Sequence, residues 1–171
     1  MQTIILYSTH DGQTKKIADY LSKYLEGEIK VASITDANII LNQADRIIIG
    51  ASIRYGHFDK KLYQFIENHT ALLQSKFSYF YGVNLTARKA GKDTPETNVY
   101  VRKFLERINW KPTMSAVFAG ALLYPRYKWF DRIMIQLIMK ITGGETDTTQ
   151  EIEFTNWNQV VYFANQINKI K

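Results

Sequence analysis

The sequence predicts an α/β domain: a five-stranded parallel sheet with helices on both faces and a long insertion after the fifth strand. Three observations predict it. Short apolar runs alternate with segments whose apolar residues recur at helical spacing. The run Ile47-Ile48-Ile49 is apolar without alternation, as in a strand buried on both faces. The first apolar run, residues 4–7, passes through a hydroxyl-rich turn straight into a helical pattern, which is how a β-α-β unit opens.

In order, residues 3–8 are the first strand and residues 13–25 the first helix, striped by Ile17, Ala18, Leu21 and Leu25 and stopped by Gly27. Residues 28–33 and 44–51 are the second and third strands. Residues 59–68 carry Leu62, Phe65 and Ile66 at helical spacing, and the pattern fades by Leu73. Residues 77–83 are the fourth strand. Residues 98–108 are a helix with Val101, Phe104, Leu105 and Ile108 inward, and residues 115–121 the fifth strand. Residues 157–170 close the chain as a helix with Val160, Val161, Ala164 and Ile167 inward. Residues 122–156 break this rhythm, because connections in such folds usually run ~2–6 residues. Their aromatic and aliphatic content argues against disorder. One domain, 1–171, carrying an insertion at about 122–148, is expected.

The chain has no cysteine, which excludes disulfides, thiolate metal sites and a cysteine nucleophile. Its three histidines, His10, His57 and His69, lack metal-site spacing, so no metal is expected. No basic-then-apolar leader opens the chain, and no apolar run reaches the ~20 residues that span a bilayer, so a cytoplasmic protein is expected. The net charge of +6 implies anionic company or a solvated basic surface. The basic residues Arg88, Lys89, Lys92, Arg102, Lys103, Arg107 and Lys111 are interrupted by acids and fit no nucleic-acid motif, so no nucleic acid is expected.

In an open α/β sheet, ligands bind beyond the carboxyl ends of the strands. The turn Ser8-Thr9-His10-Asp11-Gly12-Gln13-Thr14 offers hydroxyls, a glycine and the unpaired amides of a helix start. That combination suits a phosphate. It matches neither G-x-x-x-x-G-K-[ST] nor G-x-G-x-x-G, so a mononucleotide is expected rather than ATP or NAD. Asp11 would repel a phosphate and is expected to cap the turn through backbone N–H groups. After the third strand, Ala51, Ser52, Ile53, Arg54, Tyr55, Gly56 and His57 offer a hydroxyl and an aromatic face for a flat ring. After the fourth, Asn84, Leu85, Thr86, Ala87 and Arg88 can meet the ring edge. His57 is either a proton shuttle or a plain loop histidine. In the insertion, Trp129, Phe130, Ile133, Met134, Leu137, Ile138 and Ile141 fill one helical arc, with Arg132, Gln136 and Lys140 opposite. Such a helix either packs as core or serves an interface or an apolar groove.

The turn Ser8-Thr9-x-Asp11-Gly12-x-Thr14 resembles the FMN phosphate loop of flavodoxins. The segments Gly50-Ala-Ser-Ile-Arg-Tyr-Gly-His57, Asn84-Leu-x-Ala-Arg-Lys89, Ala119-Gly-Ala-Leu-x-Tyr124-Pro-Arg-Tyr127 and Gly143-Gly-Glu-Thr-Asp-Thr148 extend the likeness over nearly the whole chain. Together they resemble the flavodoxin-like, quinone-dependent protoporphyrinogen oxidases of bacterial haem synthesis. The resemblance implies FMN, a sheet of order 2-1-3-4-5, and oxidation of protoporphyrinogen IX with electrons passed to menaquinone or ubiquinone. It also implies peripheral contact with the inner face of the cell membrane. Propionates of the substrate would meet Arg54, Arg88 or the insertion, where Tyr124, Arg126, Tyr127, Lys128, Trp129 and Arg132 are the candidates for substrate or membrane. Electron-carrier flavodoxins are typically acidic, so a basic chain fits an oxidase better. A flavodoxin-like electron carrier, an NAD(P)H:quinone reductase and a homo-oligomer all stay open.

Overall fold

The computed structural model describes residues 1–36 and 38–170. Five strands form one parallel sheet: β1 (Gln2–Ser8), β2 (Glu28–Ser33), β3 (Arg46–Ser52), β4 (Phe77–Asn84) and β5 (Met114–Ala119), in the order β2-β1-β3-β4-β5. The chain steps from β1 outward to β2, then back past β1 to β3. The carboxyl ends of β1 and β3 are therefore the switch point of the sheet.

Alternating residues feed two cores. On one face Ile5, Ile48, Tyr79 and Tyr81 pack against Ile17 and Leu21 of α1 (Gln13–Leu21) and Val160, Phe163 and Ile167 of α5 (Trp157–Lys169). On the other, Ile4, Leu6, Ile47, Ile49 and Phe80 pack against Leu62 and Ile66 of α2 (Lys60–Ser75) and Val101 and Phe104 of α3 (Val99–Arg107). Each such side chain contributes about 1.5–3 kcal/mol on burial. In α5 it is Phe163, not Val161, that is buried. Asp59 and Asn98 cap α2 and α3 with side-chain oxygens that accept from Lys61 and Val101 N–H.

The insertion departs from expectation at both ends. The strand expected over 115–121 leaves the sheet at Gly120, whose N–H donates to the Asn84 carbonyl and whose carbonyl accepts from Phe154 N–H. The chain then forms β6 (Ala121–Leu123), which pairs antiparallel with β7 (Glu151–Glu153). Between them lies α4 (Trp129–Thr142), ended by Gly143 in the left-handed conformation at φ 73°. Beneath α4 sits a third core of Leu122, Leu123, Tyr124, Tyr127, Ile135 and Met139. α1 stops at Leu21, short of the expected Leu25, and α2 runs on to Ser75.

Gly50 positions the site indirectly. The Tyr81 ring crosses β3 at Gly50, filling the space a Cβ would take. Its hydroxyl donates to the Thr14 carbonyl at 3.1 Å, fixing the first turn of α1 to the sheet.

Candidate functional site

A cavity of about 500 Å³ opens beyond the carboxyl ends of β1, β3 and β4. α4 forms its outer wall through Met134, Ile135, Ile138, Met139 and Thr142. Clefts of this size hold ligands of drug or cofactor dimensions.

The turn after β1 supplies Thr9, His10, Asp11, Gln13 and Thr14 to the lining. Gly12 precedes α1 at φ 96°, a conformation L side chains resist, and its N–H donates to Thr9 Oγ1 at 3.0 Å. Thr9 thus closes the turn in the role expected of Asp11. Asp11 instead pairs with Arg54 Nη2, because a half-buried guanidinium needs a counter-charge more than an amide needs a carboxylate. The Gln13 amide donates to Glu153 Oε2 and Thr155 Oγ1, both at 3.0 Å, so that side chain joins α1 to the insertion. Burial, reinforced by Arg54, holds the His10 imidazole below its usual range.

From the turn after β3 come Ser52, Ile53, Arg54, Tyr55 and Gly56, and from the turn after β4 come Asn84, Leu85, Thr86 and Arg88. Arg54 stands between Asp11 and Asp131, the latter at 3.6 Å from Nη1. Tyr55 adopts φ 51°, and its hydroxyl donates to Asp131. Burial first, then that hydrogen bond, pushes the phenol above its ordinary value. Asn84 caps the turn 85–88, its Oδ1 accepting from Ala87 N–H at 3.0 Å. Of the expected cofactor residues, Ser8, Gly12, Ala51 and Ala87 flank the cavity without lining it. His57 also lies off the lining, and its backbone closes the turn onto Arg54.

The insertion residues separate. Tyr127 lines the cavity, buried, with Arg54 5.2 Å above its ring. Tyr124, expected at a substrate or membrane surface, is fully buried, and its hydroxyl donates to the Glu145 carbonyl at 2.7 Å. Its burial corrects the expected surface role. Arg126 is engaged by Glu151 through two hydrogen bonds of 2.7 and 2.9 Å. Lys128 and Trp129 are exposed, Trp129 at 73%. Arg132, expected at a substrate or membrane surface, and Gln136, both placed opposite the apolar arc, turn inward and donate to the carbonyls of Tyr127 and Thr146 at 3.4 and 2.9 Å. The arc expected as one surface divides. Met134 and Ile138 line the cavity, while Trp129, Phe130, Ile133, Leu137 and Ile141 face out, exposed. Sequence reasoning missed Val83 and Tyr100, and on α4 Ile135, Met139 and Thr142, while Lys89, Gly120 and Ala121 fall within segments it singled out without being named as site residues. The spacing 135/139 was the available signal for two of these.

Two hydroxyls test the fit of FMN. Thr14 Oγ1 and Ser52 Oγ are buried at the cavity with no hydrogen-bond partner among the described residues. Buried hydroxyls are rarely left so. Thr14 lies in the first turn of α1, where the helix amides also await an acceptor. A phosphate supplies acceptors to both kinds of group, so these residues fit a mononucleotide.

Residues 4–149 match the flavodoxin domain family. The chain is 50% identical over 171 residues to protoporphyrinogen IX dehydrogenase (quinone) from Escherichia coli strain K12, spanning 98% of this chain and 94% of that one. It is 49% identical over 166 residues to the protein of the same name from Leishmania major, across 94% of this chain and 72% of that one. Among solved structures it resembles flavodoxin 1 from Bacillus cereus, with TM-score 0.60 and 17% identity over 100% of this chain and 99% of that one. An archaeal flavodoxin aligns with TM-score 0.57 and 14% identity over 99% and 97%. The solved structures speak to the fold alone. With a family model over most of its length and full-length relatives at about half identity, the chain belongs to the flavodoxin-domain family, in the group named protoporphyrinogen IX dehydrogenase (quinone).

Proposed function

We propose that this chain oxidises protoporphyrinogen IX to protoporphyrin IX and passes the electrons to a quinone, with FMN as its resident cofactor. The observation that carries the reading is the 50% identity with the E. coli relative of that name, insertion included. When bound, FMN supplies an acceptor for a substrate C–H bond and a donor to a quinone. The chain does the rest. Thr9, Thr14 and the amides opening α1 hold a phosphate, and Ser52 adds a hydroxyl donor beside it. The turns at Arg54–Gly56 and Asn84–Thr86 flank a flat ring between them. Met134, Ile138 and Met139 of α4 exclude water and give the cavity its apolar wall.

The test is anaerobic. Protein reconstituted with FMN, given protoporphyrinogen IX and a soluble menaquinone or ubiquinone analogue, should generate protoporphyrin fluorescence at a protein-dependent rate. A flavin absorbance band without any such fluorescence would leave an FMN protein and remove the oxidase reading.

The same reading places the chain at the inner face of the cell membrane, where the quinone resides. The exposed row of Trp129, Phe130, Ile133, Leu137 and Ile141, with Lys128 and Lys140 nearby, supports it. No described helix is long and apolar enough to cross a membrane, so contact would be at the interface. Sedimentation with anionic vesicles, lost in a variant carrying Trp129→Ser, Leu137→Ser and Ile141→Ser, checks this. Retention of binding by that variant, or self-association of the wild type through this face, would overturn it.

A further inference from the structure

Among the described residues, two cations in the cavity wall have no counter-charge. Arg54 is engaged by Asp11 and Asp131. Arg88 is not: among the described residues, no carboxylate lies within 4.0 Å of its guanidinium. Burial alone displaces its pKa, pulling it below the ordinary arginine value, with no charged neighbour pulling it back. Lys89, next along the same wall, is likewise free of a carboxylate and donates to the Thr142 carbonyl at 3.2 Å.

The position of Arg88 is built. Asn84 caps its turn and exchanges amide hydrogen bonds of 3.2 and 3.0 Å with Asn98. Arg88 Nη1 donates to the Leu85 carbonyl at 2.7 Å, and its guanidinium lies 5.9 Å from the Phe154 ring centroid. At Gly144, a Cβ would come within 2.9 Å of Nη2, so the glycine leaves room for the head group. A half-buried guanidinium held this firmly without an anion is a site awaiting one.

The FMN phosphate is not that anion. It belongs at the start of α1, after β1, whereas Arg88 follows β4, two strands away and thus about 10 Å across the sheet. We infer that Arg88, assisted by Lys89, binds a propionate carboxylate of the porphyrinogen and so selects carboxylated tetrapyrroles. This rests on the oxidase reading above. A guanidinium fork matches a carboxylate with two parallel N–H donors. The apolar wall of Met134, Ile138 and Met139 offers the macrocycle a surface beside it.

The experiment compares protoporphyrin IX with its dimethyl ester, in which both carboxylates are masked. Fluorescence titration of the FMN-loaded protein gives Kd for each, and turnover of the two porphyrinogens gives KM. For Arg88→Gln, Kd and KM for the free acid should rise about tenfold to a hundredfold. The ester values should not move, and FMN affinity should stay within about threefold. Arg88→Lys, which keeps the charge and loses the fork, should recover part of the preference. Equal changes for acid and ester would overturn the assignment, as would no preference for the acid in the wild type. So would a loss of FMN affinity or a shifted flavin potential at unchanged porphyrin binding, which would assign Arg88 to the cofactor. Absence of wild-type turnover would instead overturn the oxidase reading, and the binding pair would still judge Arg88.

Discussion

The Tyr55 hydroxyl donates to the Asp131 carboxylate, joining the tip of the turn after β3 to the first turn of α4. The same carboxylate faces Arg54 at 3.6 Å. One acidic residue thus ties the insertion to two residues of the ring-flanking turn. It also holds Tyr55 at a positive φ that costs a non-glycine residue about 1–2 kcal/mol.

Removing that tie should loosen α4 before it unfolds the domain. Asp131→Ala is expected to speed amide hydrogen exchange over 129–142 about tenfold, corresponding to roughly 1.4 kcal/mol of local stability. Exchange in the sheet should be unaltered. Equal exchange in variant and wild type would show that α4 is held by its buried face alone.

Thr14→Val should move stability and affinity in opposite directions. The hydroxyl is buried, with no hydrogen-bond partner among the described residues. Replacing it with a methyl should raise Tm by about 2–4 °C, equivalent to about 1 kcal/mol. FMN affinity should fall about tenfold. Calorimetry of the FMN-free protein and a flavin titration report the two effects separately. A variant that melts lower and binds FMN normally would refute the assignment.

Two glycines should fail for different reasons. Gly12→Ala meets no atom within 4 Å, so its cost is the backbone alone, about 1–2 kcal/mol. Gly50→Ala collides with the Tyr81 ring and should cost about 1–3 kcal/mol by overpacking. Urea denaturation of Gly50→Ala, Tyr81→Ala and the double variant should show the alanine at position 50 becoming nearly harmless once the ring is gone. At Gly12, Tyr81→Ala should bring no such relief.

The Glu153 carboxylate accepts from Gln13 and Trp157 at 3.0 and 2.9 Å and pairs with Lys16. Burial pushes its pKa up, but these donors outweigh burial and hold it below the usual glutamate value of 4.5. The folded state therefore releases this proton more readily than the unfolded chain. The stabilisation is complete above the ordinary glutamate range and fades as pH falls through the lower folded value. Glu153→Gln should cost about 0.5–1 kcal/mol in urea melts at pH 7. The gap should close once Glu153 is protonated in the folded protein. A gap that persists in acid would mean that shape, not charge, matters there.

The sheet was legible because its strands are buried on both faces, so Ile4 to Leu6 and Ile47 to Ile49 announce themselves by apolar content alone. The three phosphate and ring turns were legible because they follow those strands. The orientation of α4 was not. Two apolar rows, one lining the cavity and one facing out, merge into a single arc in sequence, and the polar residues Arg132 and Gln136 are drawn inward by carbonyls of Tyr127 and Thr146. Strands as short as β6 and β7 carry too few residues to show a period. The Arg54–Asp131 pair joins residues far apart in sequence, and no local pattern predicts it.

The ribbon of β6 and β7 sets Leu123 opposite Glu151, so the segment between them leaves and returns at one point beside the sheet. A tight hairpin turn joining those two positions would close the gap with no change in strand order. Everything from Tyr124 to Gln150 is in that sense a detachable module. Its excision should return the five-stranded sheet with its short ribbon, which folds and keeps its phosphate turn but leaves the flavin open to water on the side α4 now covers.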